Sequence, residues 1–434
     1  MIYYLVGIKG CAMCALANLL KKEGHIVKGA DVKEDFYTKP KLYDFAIDEL
    51  DNIKINEGYF YIIGNAFKDS IYCEGILQKC RYLYYPEFIK EHFKYHKQIC
   101  IAGSHGKTTT TALIAHMLGD CNYLVGDGSG GYSKNDILVI EACEYKNTFL
   151  NYNPYISLVL NIDYDHPDFF KNEKDYINAF KRFIDISTTA IVNGDDKNLQ
   201  AIDHNSISFG MNLKSNFSFQ IKNIVNKLHI FIDNEELVFD HMGRHYAYDV
   251  VGAYVVARQL KVSNENIRKR LKSFRMPNRR MSKYYQNKLT FICDYAHHPT
   301  EIEGVYQALR LEYPNKRLVC FFEPHTYSRT ISLEKGFKGA LSCFDETYLY
   351  RTFNSRENKN EELDKSIIKS LGYEELSEGS ITSYQFDENE IYVFLGAGTI
   401  DNILRKILYE RKWKSLIYFH FFLWKHWKSF SYML

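Results

Sequence analysis

The stretch Gln98-Ile-Cys-Ile-Ala-Gly-Ser-His-Gly-Lys-Thr-Thr-Thr-Thr111 decides how this 434-residue chain is organised. Its first part, Ile99 to Ala102, is a short apolar run that predicts a buried parallel strand. From Thr108 to Leu118 the apolar residues recur at helical spacing, which predicts a helix directly after the loop. A strand, a glycine loop and a helix in this order are typical of a phosphate-binding site.

The loop itself carries the residues that such a site needs. Gly103 and Gly106 allow backbone N–H groups to approach an anion closely, and the N-terminus of the helix favours negative charge there. Lys107 is placed to reach the outer phosphates, and the hydroxyl of Thr108 is placed to bind Mg²⁺. The pattern is a short G-x-x-G-K-T form of the usual G-x-x-x-x-G-K-[ST] motif. We therefore predict a nucleotide site here and not a simple Gly-Lys turn.

The composition is that of an ordinary globular protein. Hydrophobic residues make up 46% of the chain and charged residues 25%, and the length corresponds to about three domains. The net charge of +2 gives no indication of a nucleic-acid partner. Met1 to Gly7 lacks the basic start of a signal peptide, and no apolar run reaches the roughly 18 residues of a transmembrane helix. The ten cysteines lack paired metal-type spacing, so we expect free thiols and a cytoplasmic location.

The N-terminal segment predicts a doubly wound domain over residues 1–96. Ile2 to Val6 is an apolar strand, and Gly7-Ile-Lys-Gly10 after it is a degraded relative of the dinucleotide-binding loop. Asp31 ends the next predicted strand, about where a ribose-binding carboxylate often lies. A solvated loop aspartate is an equally good interpretation of Asp31 at this point.

Two acidic strand ends accompany the phosphate loop in the predicted central domain, residues 97–276. One strand ends in Glu141-Ala-Cys-Glu144, where the acid that holds Mg²⁺ is expected. Another ends in Asp163-Tyr-Asp-His-Pro-Asp168, which offers several oxygen and nitrogen ligands. One such cluster alone would suit a solvated turn, but two beside a phosphate loop indicate a two-metal or metal-plus-base site.

A boundary near Met276 opens the third predicted domain, residues 277–410, where strands again alternate with helices. Ligands of parallel sheets bind at the carboxyl ends of strands, and polar residues follow several strands here. They are Asp294, His297, His298, His325, Arg329 and Gly396. A single histidine in such a place would more often be structural, but four polar strand ends in a row favour a binding site.

The last segment, residues 411–434, differs in composition from the rest of the chain. It contains all three tryptophans and several basic residues but no acidic one. A basic aromatic helix on a membrane surface, an extra packing helix and a non-native extension are three interpretations of about equal weight.

Taken in series, these motifs resemble the Mur ligase family of bacterial cell-wall synthesis, in its alanine-adding branch. The resemblance covers roughly residues 1–410. The motifs that carry it are Gly7-Ile-Lys-Gly10, Gly103 to Thr111, Glu141-Ala-Cys-Glu144, Asn161 to Asp168, Gly243-Arg-His245, Arg279-Arg280, Asp294 to Glu301, Pro324 to Arg329, Ser355-Arg-Glu357 and Gly396-Ala-Gly398.

The resemblance implies an α/β protein of three domains. A Rossmann-like N-terminal domain holds a UDP-sugar, a central P-loop ATPase-type α/β domain holds ATP, and a Rossmann-like C-terminal domain holds the amino acid and part of ATP. The implied reaction begins when the carboxylate of UDP-N-acetylmuramate attacks the γ-phosphate of ATP in the presence of Mg²⁺. The amine of L-alanine then attacks the acyl phosphate, which yields an amide, ADP and phosphate.

The same resemblance implies roles for individual residues. It assigns catalytic roles to Lys107, His166, His297 and Arg329. It implies ATP contacts for Gly103, Ser104, His105, Gly106, Lys107, Thr108, Thr109, His245 and Asp294. It implies UDP-sugar contacts for Gly7, Lys9, Gly10 and Asp31, and amino-acid contacts for Tyr295, His297, His325 and Arg329. Mg²⁺ is expected at Thr108, Glu141 and His166.

Some residues depart from the family pattern. Cys11-Ala12 stands where the family often has a small residue and a glycine, which narrows the expected UDP pocket. Tyr246 and Asp249 stand where it usually has asparagine, which affects the expected recognition of adenine. Thr326 stands where it often has arginine, so that His325 and Arg329 are expected to bind the amino-acid carboxylate alone.

Two alternatives stay open at this point. One is a recycling ligase that joins a preformed peptide to the same sugar nucleotide. The other is a nucleotide-binding relative without ligase activity. Such a relative should have lost phosphate or metal ligands, whereas Lys107, Thr108, Glu141 and His166 are all present.

Overall fold

The computed structural model describes residues 1–34, 36–355 and 357–410 of the chain. The aromatic tail, residues 411–434, and Arg356 of the Ser355-Arg-Glu357 motif lie outside the described residues. The described strands form three sheets with helices between them, which confirms the predicted α/β class. Within these ranges, none of the helices combines the length and the apolar character needed to cross a bilayer.

The first sheet is fully parallel and has five strands in the order β3-β2-β1-β4-β5. Its central strand is buried over nearly its whole length, as expected where helices cover both faces of a parallel sheet. The strands are β1 Ile2–Val6, β2 Ile26–Asp31, β3 Ala46–Glu49, β4 Phe60–Ile63 and β5 Arg81–Tyr84. The helices are α1 Cys11–Lys22, α2 Glu74–Lys79 and α3 Tyr85–His92.

The second sheet has ten strands and places β6 between β10 and β9. The carboxyl ends of these three parallel strands therefore meet at one edge, where ligands of such sheets bind. The strands are β6 Lys97–Ala102, β7 Asn122–Leu124, β8 Gly130–Gly131, β9 Ile137–Glu141, β10 Pro154–Val159, β11 Thr189–Asn193, β12 Ile207–Gly210, β13 Phe217–Ile224, β14 Lys227–Ile232 and β15 Glu235–Phe239. The helices are α4 Lys107–Leu118, α5 Glu173–Asp185, α6 Lys197–Gln200, α7 Arg244–Gln259 and α8 Asn264–Ser273.

The third sheet has six strands in the order β16-β17-β21-β18-β19-β20, and only the edge strand β16 runs antiparallel to its neighbour. Because β21 pairs with both β17 and β18, the ends of these strands lie side by side. The strands are β16 Ser282–Gln286, β17 Leu289–Asp294, β18 Arg317–Phe322, β19 Glu346–Leu349, β20 Glu374–Glu375 and β21 Glu390–Leu395. The helices are α9 Pro299–Glu312, α10 Tyr327–Ser332, α11 Glu334–Leu341, α12 Glu361–Leu371 and α13 Glu378–Thr382, and residues 400–410 are also helical.

The described chain divides into two compact units. Among the described residues, the first unit comprises 1–278 with 307–314, and the second comprises 279–306 with the described part of 315–410. The first unit thus contains two of the three sheets. The finer division into domains at 1–96, 97–276 and 277–410 stays a prediction.

Within the first unit, α1 of the first sheet packs directly on β8 of the second. A Cβ atom on Gly130 would lie 1.8 Å from the carbonyl oxygen of Ala15, so a side chain has no room there. The Nζ of Lys22 donates to the carbonyl oxygen of Gly130 over 2.8 Å. Residues from α1 and from β7 and β9 also belong to one buried apolar cluster. The two sheets therefore share a core at this contact.

Candidate active site

The phosphate loop has the predicted order of strand, glycine loop and helix. Gly103 and Gly106 both have positive φ angles, 143° and 82°, which favour glycine. A Cβ atom on Gly106 would lie 2.3 Å from a carboxylate oxygen of Asp249, so this position also lacks space for a side chain. α4 begins at Lys107 directly after the loop, which places its first backbone N–H groups at the edge where β6 ends.

Ser104 and His105, both predicted to contact ATP, tie the loop to the segment after β10. The hydroxyl of Ser104 donates to the carbonyl oxygen of Asp163 over 2.6 Å, and it lies 2.9 Å from the hydroxyl of Tyr176. The backbone N–H of His105 donates to Asn161 Oδ1 over 2.8 Å, and His105 Nε2 lies 3.0 Å from Asp163 Oδ2. These side chains therefore hold the loop in shape.

Lys107 lies in a buried network of charges. Its Nζ donates to the carbonyl oxygens of Gly103 and Ser104 and to both carboxylate oxygens of Glu144, at 3.0 and 3.2 Å for the carboxylate. The side chain of Glu144 is only 1% exposed, and His166 Nε2 lies 3.5 Å from it. One carboxylate thus links the predicted catalytic lysine to the predicted catalytic histidine.

The pKa shifts of this pair follow from burial and mutual attraction. Burial alone would lower the pKa of Lys107, but Glu144, together with Cys143 and Glu141, outweighs burial and raises the pKa above its usual value. Burial alone would raise the pKa of Glu144, but Lys107 and His166 outweigh it and hold the pKa below its usual value. Both groups are therefore charged at neutral pH.

The predicted metal ligands Thr108 and Glu141 come together beside the loop. Thr108 Oγ1 donates to Glu141 Oε2 over 2.9 Å, and the same carboxylate oxygen accepts the N–H of Gly126 over 2.9 Å. A hydroxyl and a carboxylate are the hard oxygen ligands that Mg²⁺ prefers. The donor set therefore fits this ion. Thr109 is buried in the first turn of the same helix.

His166, the third predicted metal ligand, has a left-handed backbone conformation with φ 57°. Its backbone N–H donates to Asp165 Oδ1 over 2.7 Å, and its ring lies 4.8 Å from the ring of Tyr145. Histidine adopts this conformation more readily than most residues, and here the conformation keeps the ring beside Glu144. We name Lys107, Thr108, Glu141, Glu144 and His166 the phosphate-loop cluster.

Sequence reasoning did not assign a role to Glu144. The residue lies in the quoted Glu141-Ala-Cys-Glu144 motif, three positions after the predicted metal ligand. The signal that could have identified it is a second acid directly after a strand that ends beside a phosphate loop. Its contacts with both Lys107 and His166 now make it the link between them.

The residues expected near adenine lie at the start of α7. His245 stands in the first turn with its ring 4.0 Å from that of Tyr246. Asp249 is buried and accepts a hydrogen bond from the hydroxyl of Thr110 over 3.1 Å. The aspartate therefore ties α7 to α4 close to the phosphate loop, while a contact between His245 and adenine stays a prediction.

The residues expected to bind the UDP-sugar hold the first glycine loop together. The carboxylate of Asp31 accepts the backbone N–H of Lys9 over 2.6 Å and that of Val32 over 2.8 Å, and burial raises its pKa. Lys9 Nζ donates to the carbonyl oxygens of Val32 and Glu34. Gly7 has φ 87°, which favours glycine in this turn.

Gly10 is the N-cap of α1. The backbone N–H groups at the N-terminus of this helix therefore lie directly after the glycine loop, as the motif predicts. Asp31 is not the solvated loop residue of the alternative interpretation, because it is 3% exposed. Direct contacts of Gly7, Lys9, Gly10 and Asp31 with a UDP-sugar stay predictions.

In the second unit, Asp294 shapes the turn after β17. Its carboxylate accepts the backbone N–H of Met281 over 2.7 Å and that of Ala296 over 2.8 Å. The side chain is buried, and burial raises its pKa. The turn presents Tyr295, whose ring has the guanidinium groups of Arg279 and Arg280 at 4.9 and 5.2 Å. A contact of Asp294 with the nucleotide stays a prediction.

The residues predicted to surround the amino acid come together in the same unit. The ring of His297 lies 5.2 Å from that of Tyr295 and 5.3 Å from that of His325. Arg329 Nη1 donates to His325 Nδ1 over 2.9 Å, and Arg329 is 2% exposed. We name Tyr295, His297, His325 and Arg329 the amino-acid cluster.

Two carboxylates of the same unit, Glu323 and Glu301, accept hydrogen bonds from backbone N–H groups. Glu323 accepts the backbone N–H groups of Thr399 and Ile400. Glu301 accepts the backbone N–H of His297 over 3.1 Å and lies 3.7 Å from a guanidinium nitrogen of Arg280.

Comparison with known proteins identifies the relatives of this chain. Residues 131–257 match the Mur ligase middle domain, and residues 279–394 match the Mur ligase, glutamate ligase domain. The UDP-N-acetylmuramate–L-alanine ligase of Lactobacillus acidophilus is 35% identical over 418 residues, which cover 92% of this chain and 96% of that protein. The ligase of the same name from Lactobacillus helveticus is 34% identical with the same coverage.

Solved structures share the fold. UDP-N-acetylmuramate-alanine ligase of Thermotoga maritima matches with a TM-score of 0.79 at 22% identity, over 96% of this chain and 100% of that one. A murein peptide ligase of Psychrobacter arcticus matches with a TM-score of 0.72 at 20% identity, over 95% of this chain and 98% of that one. At these sequence identities the two matches show a shared fold and nothing about function.

Proposed function

The chain belongs to the Mur ligase family, and we infer from this membership that it is an ATP-dependent ligase that joins L-alanine to UDP-N-acetylmuramate. The amide forms at the lactyl carboxylate of the sugar nucleotide, with ADP and phosphate as the other products, in the synthesis of the peptidoglycan precursor. The observation that carries this conclusion is the similarity to ligases of that name across nearly the whole chain.

The phosphate-loop cluster supports the proposed use of ATP and Mg²⁺. Lys107, held charged by Glu144, stabilises the negative charge that develops on the γ-phosphate as the lactyl carboxylate attacks it. Thr108 and Glu141 would hold one Mg²⁺, and His166 with Glu144 would hold a second. Mg²⁺ bound there would neutralise further charge on the phosphates.

The amino-acid cluster supports the proposed binding of L-alanine. The guanidinium of Arg329 provides a fork of N–H donors for a carboxylate. Arg329 only donates hydrogen bonds, so His325 Nδ1 accepts and the neutral ring carries its hydrogen on Nε2. That N–H is a second donor for the substrate carboxylate.

His297 is the proposed acceptor of the proton that the alanine amine loses. Its Nδ1 lies 3.0 Å from the carbonyl oxygen of Tyr295, which can only accept, so the hydrogen of the neutral ring lies on Nδ1. The lone pair then lies on Nε2, where a neutral histidine can accept a proton.

The proposed location is the cytoplasm. The ten cysteines of the chain are free thiols, as is usual in proteins of a reducing compartment.

An amino-acid panel tests the proposed function. The protein is incubated with ATP, Mg²⁺, UDP-N-acetylmuramate and one acceptor at a time, and phosphate release is measured. We expect release that depends on both L-alanine and the sugar nucleotide. Lys107→Ala serves as the inactive control.

The same panel decides between the two ligases. A peptide that begins with L-alanyl-γ-D-glutamate is offered in place of L-alanine. Preference for the peptide would assign the protein to peptide recycling, and no release with any acceptor would contradict a ligase.

A further inference from the structure

We propose that Glu357, on the loop after β19, is the positioning residue of the amino-acid cluster: its carboxylate holds the turn that aims His325 and Arg329. The proposal rests on the proposed function of that cluster as the binding site for the carboxylate of L-alanine. Glu357 itself touches neither the substrate nor the reacting atoms. It acts through the backbone on which the two binding residues stand.

The start of α10 is held by a side chain from another part of the chain. Thr326 is the N-cap residue, and its side chain makes no capping hydrogen bond. Instead, Glu357 Oε2 accepts the backbone N–H of Tyr327 over 2.5 Å, and Oε1 accepts that of Ser328 over 3.2 Å. Glu357 follows Tyr327 by 30 positions in sequence. A carboxylate is well suited to this place, because the N-terminus of a helix favours negative charge.

The turn that Glu357 holds is strained. Thr326 has φ 65° and ψ 140°, a conformation that a β-branched residue rarely adopts. Such a residue persists only where its surroundings determine its conformation. Its backbone N–H donates to the carbonyl oxygen of Phe353 over 2.9 Å, and the N–H of Phe353 donates to that of Pro324 over 2.8 Å. The loop after β19 therefore fixes both sides of the turn.

The geometry of the turn sets the geometry of the binding pair. His325 lies directly before Thr326, and Arg329 lies in the first turn of α10. Their contact, from Arg329 Nη1 to His325 Nδ1, requires a fixed angle between the strand end and the helix. The ring of His325 also stacks on that of Phe353 at 5.6 Å and 28°. If the turn relaxes, both the guanidinium fork and the Nε2–H of His325 change direction.

Glu357 is itself anchored within its loop. Its backbone N–H donates to the carbonyl oxygen of Asn354 over 2.9 Å, and Asn354 Nδ2 donates to the carbonyl oxygen of Glu357 over 2.6 Å. Farther along, the backbone N–H of Asn360 donates to the hydroxyl of Tyr327 over 3.2 Å. The loop thus contacts the start of α10 at more than one point, through the carboxylate of Glu357 and the backbone N–H of Asn360.

The test compares Glu357→Ala and Glu357→Gln with the unchanged protein. We expect Glu357→Ala to raise KM for L-alanine about tenfold or more and to leave KM for ATP and UDP-N-acetylmuramate within about twofold. Glu357→Gln keeps one oxygen acceptor, so its effect should be smaller. Glu362→Gln is the matched control. Glu362 is exposed at the start of α12, and its substitution removes the same negative charge as Glu357→Gln.

A second substrate separates positioning from a general loss of structure. L-alaninamide lacks the carboxylate, so the unchanged protein should strongly prefer L-alanine by kcat/KM. In Glu357→Ala this preference should fall by about the factor by which KM for L-alanine rises. A structural role alone would lower the melting temperature and weaken all three substrates without changing the preference.

The results divide clearly. An unchanged KM for L-alanine in Glu357→Ala, or a parallel rise of all three KM values, would overturn the proposal. If the unchanged protein shows no alanine-dependent phosphate release, the proposed function itself fails. A normal response of the unchanged protein with no effect of Glu357→Ala rejects only the positioning role.

Discussion

The phosphate-loop cluster and the amino-acid cluster hold their side chains by different means. The first stands on the ends of β6, β9 and β10, which are neighbours in one sheet, and its charges are buried against one another. The second joins the end of β17 to the short helix α10, whose start depends on a loop far away in sequence. Charges held by a sheet act as a unit, whereas side chains held by a loop respond to changes in that loop. Substitutions in the two clusters should therefore differ in which kinetic constant they change.

The largest effect is expected from Lys107→Ala. The substitution removes the positive charge of Lys107 that would stabilise the γ-phosphate. It should therefore lower kcat at least about a thousandfold, which corresponds to about 4 kcal/mol of barrier. The measurement is phosphate release at saturating substrates, and Lys97→Ala is the control, because Lys97 is half-exposed at the start of β6. A kcat within about tenfold of the unchanged protein would contradict the assignment.

Lys107→Ala should also affect stability, because Glu144, the partner of Lys107, is buried. Without Lys107, Glu144 keeps a buried negative charge that has lost its lysine partner, with His166 Nε2 still 3.5 Å away. The double variant Lys107→Ala/Glu144→Gln should therefore be more stable than Lys107→Ala alone, while turnover stays absent. Melting temperatures of the two variants provide the comparison.

Glu144→Gln should have a smaller effect on kcat, in the range of about ten- to a hundredfold, because Lys107 keeps its charge but loses its partner.

The stability of the folded protein should depend on pH through Glu144 and Lys107. The pKa of Glu144 is lowered on folding, so its contribution is full above the usual value of 4.5 and is lost as the pH falls through the folded-state pKa. The pKa of Lys107 is raised, so its contribution is full below 10.5 and is lost above that.

Melting temperatures at several pH values test this dependence. The difference between the unchanged protein and Glu144→Gln should be constant between about pH 5 and pH 10 and should shrink in more acidic solution. A difference that stays constant into strong acid would show that the pair does not contribute through its charges.

Arg329→Ala tests the amino-acid cluster directly. KM for L-alanine should rise about tenfold or more, while KM for ATP and UDP-N-acetylmuramate stays within about twofold. The matched control is Arg317→Ala, since Arg317 is 55% exposed and forms ion pairs at the start of β18. If all three KM values rise together, the arginine ties the structure together and does not select one substrate.

The smallest effect is expected from removal of residues 411–434. The family resemblance ends near Glu410, so the shortened protein should keep its kcat and KM values within about twofold. Flotation with anionic vesicles, with and without the tail, measures any contact with a membrane. A shortened protein that is folded but inactive would show that the tail takes part in the reaction.

Much of the fold was predictable because its signals are local. The strands at Arg317–Phe322 and Glu390–Leu395 are apolar runs that end in glycine or charged residues, and both occur where the pattern predicts them. In residues 205–240, short strand-like runs alternate with polar turns, a pattern that predicts an antiparallel sheet edge. β13 to β15 confirm this part, but β12 pairs in parallel with β11. Pairing direction depends on a partner that is distant in sequence, so local pattern does not reveal it.

The candidate site shows the same limit. The sequence motifs predict Thr108 and Glu141 as metal ligands, and the two side chains are in contact, while their role as ligands stays a prediction. They did not reveal that Glu144 joins Lys107 to His166, since this depends on three strand ends meeting at one edge. The motifs also did not reveal that the buried carboxylate of Asp249 accepts a hydrogen bond from Thr110 beside the loop. The expected effect of Asp249 on adenine recognition stays a prediction. The sequence names such residues but does not say which way they face.

Gly130, at which α1 lies against β8, limits how this protein can be recombined with its relatives. The backbone of α1 needs a partner without a side chain at that position, and Lys22 needs its carbonyl oxygen. A chimera that imports the N-terminal sheet alone would place a foreign helix on a surface shaped for another one. The crossover should therefore lie beyond residue 131, so that helix and strand are inherited together.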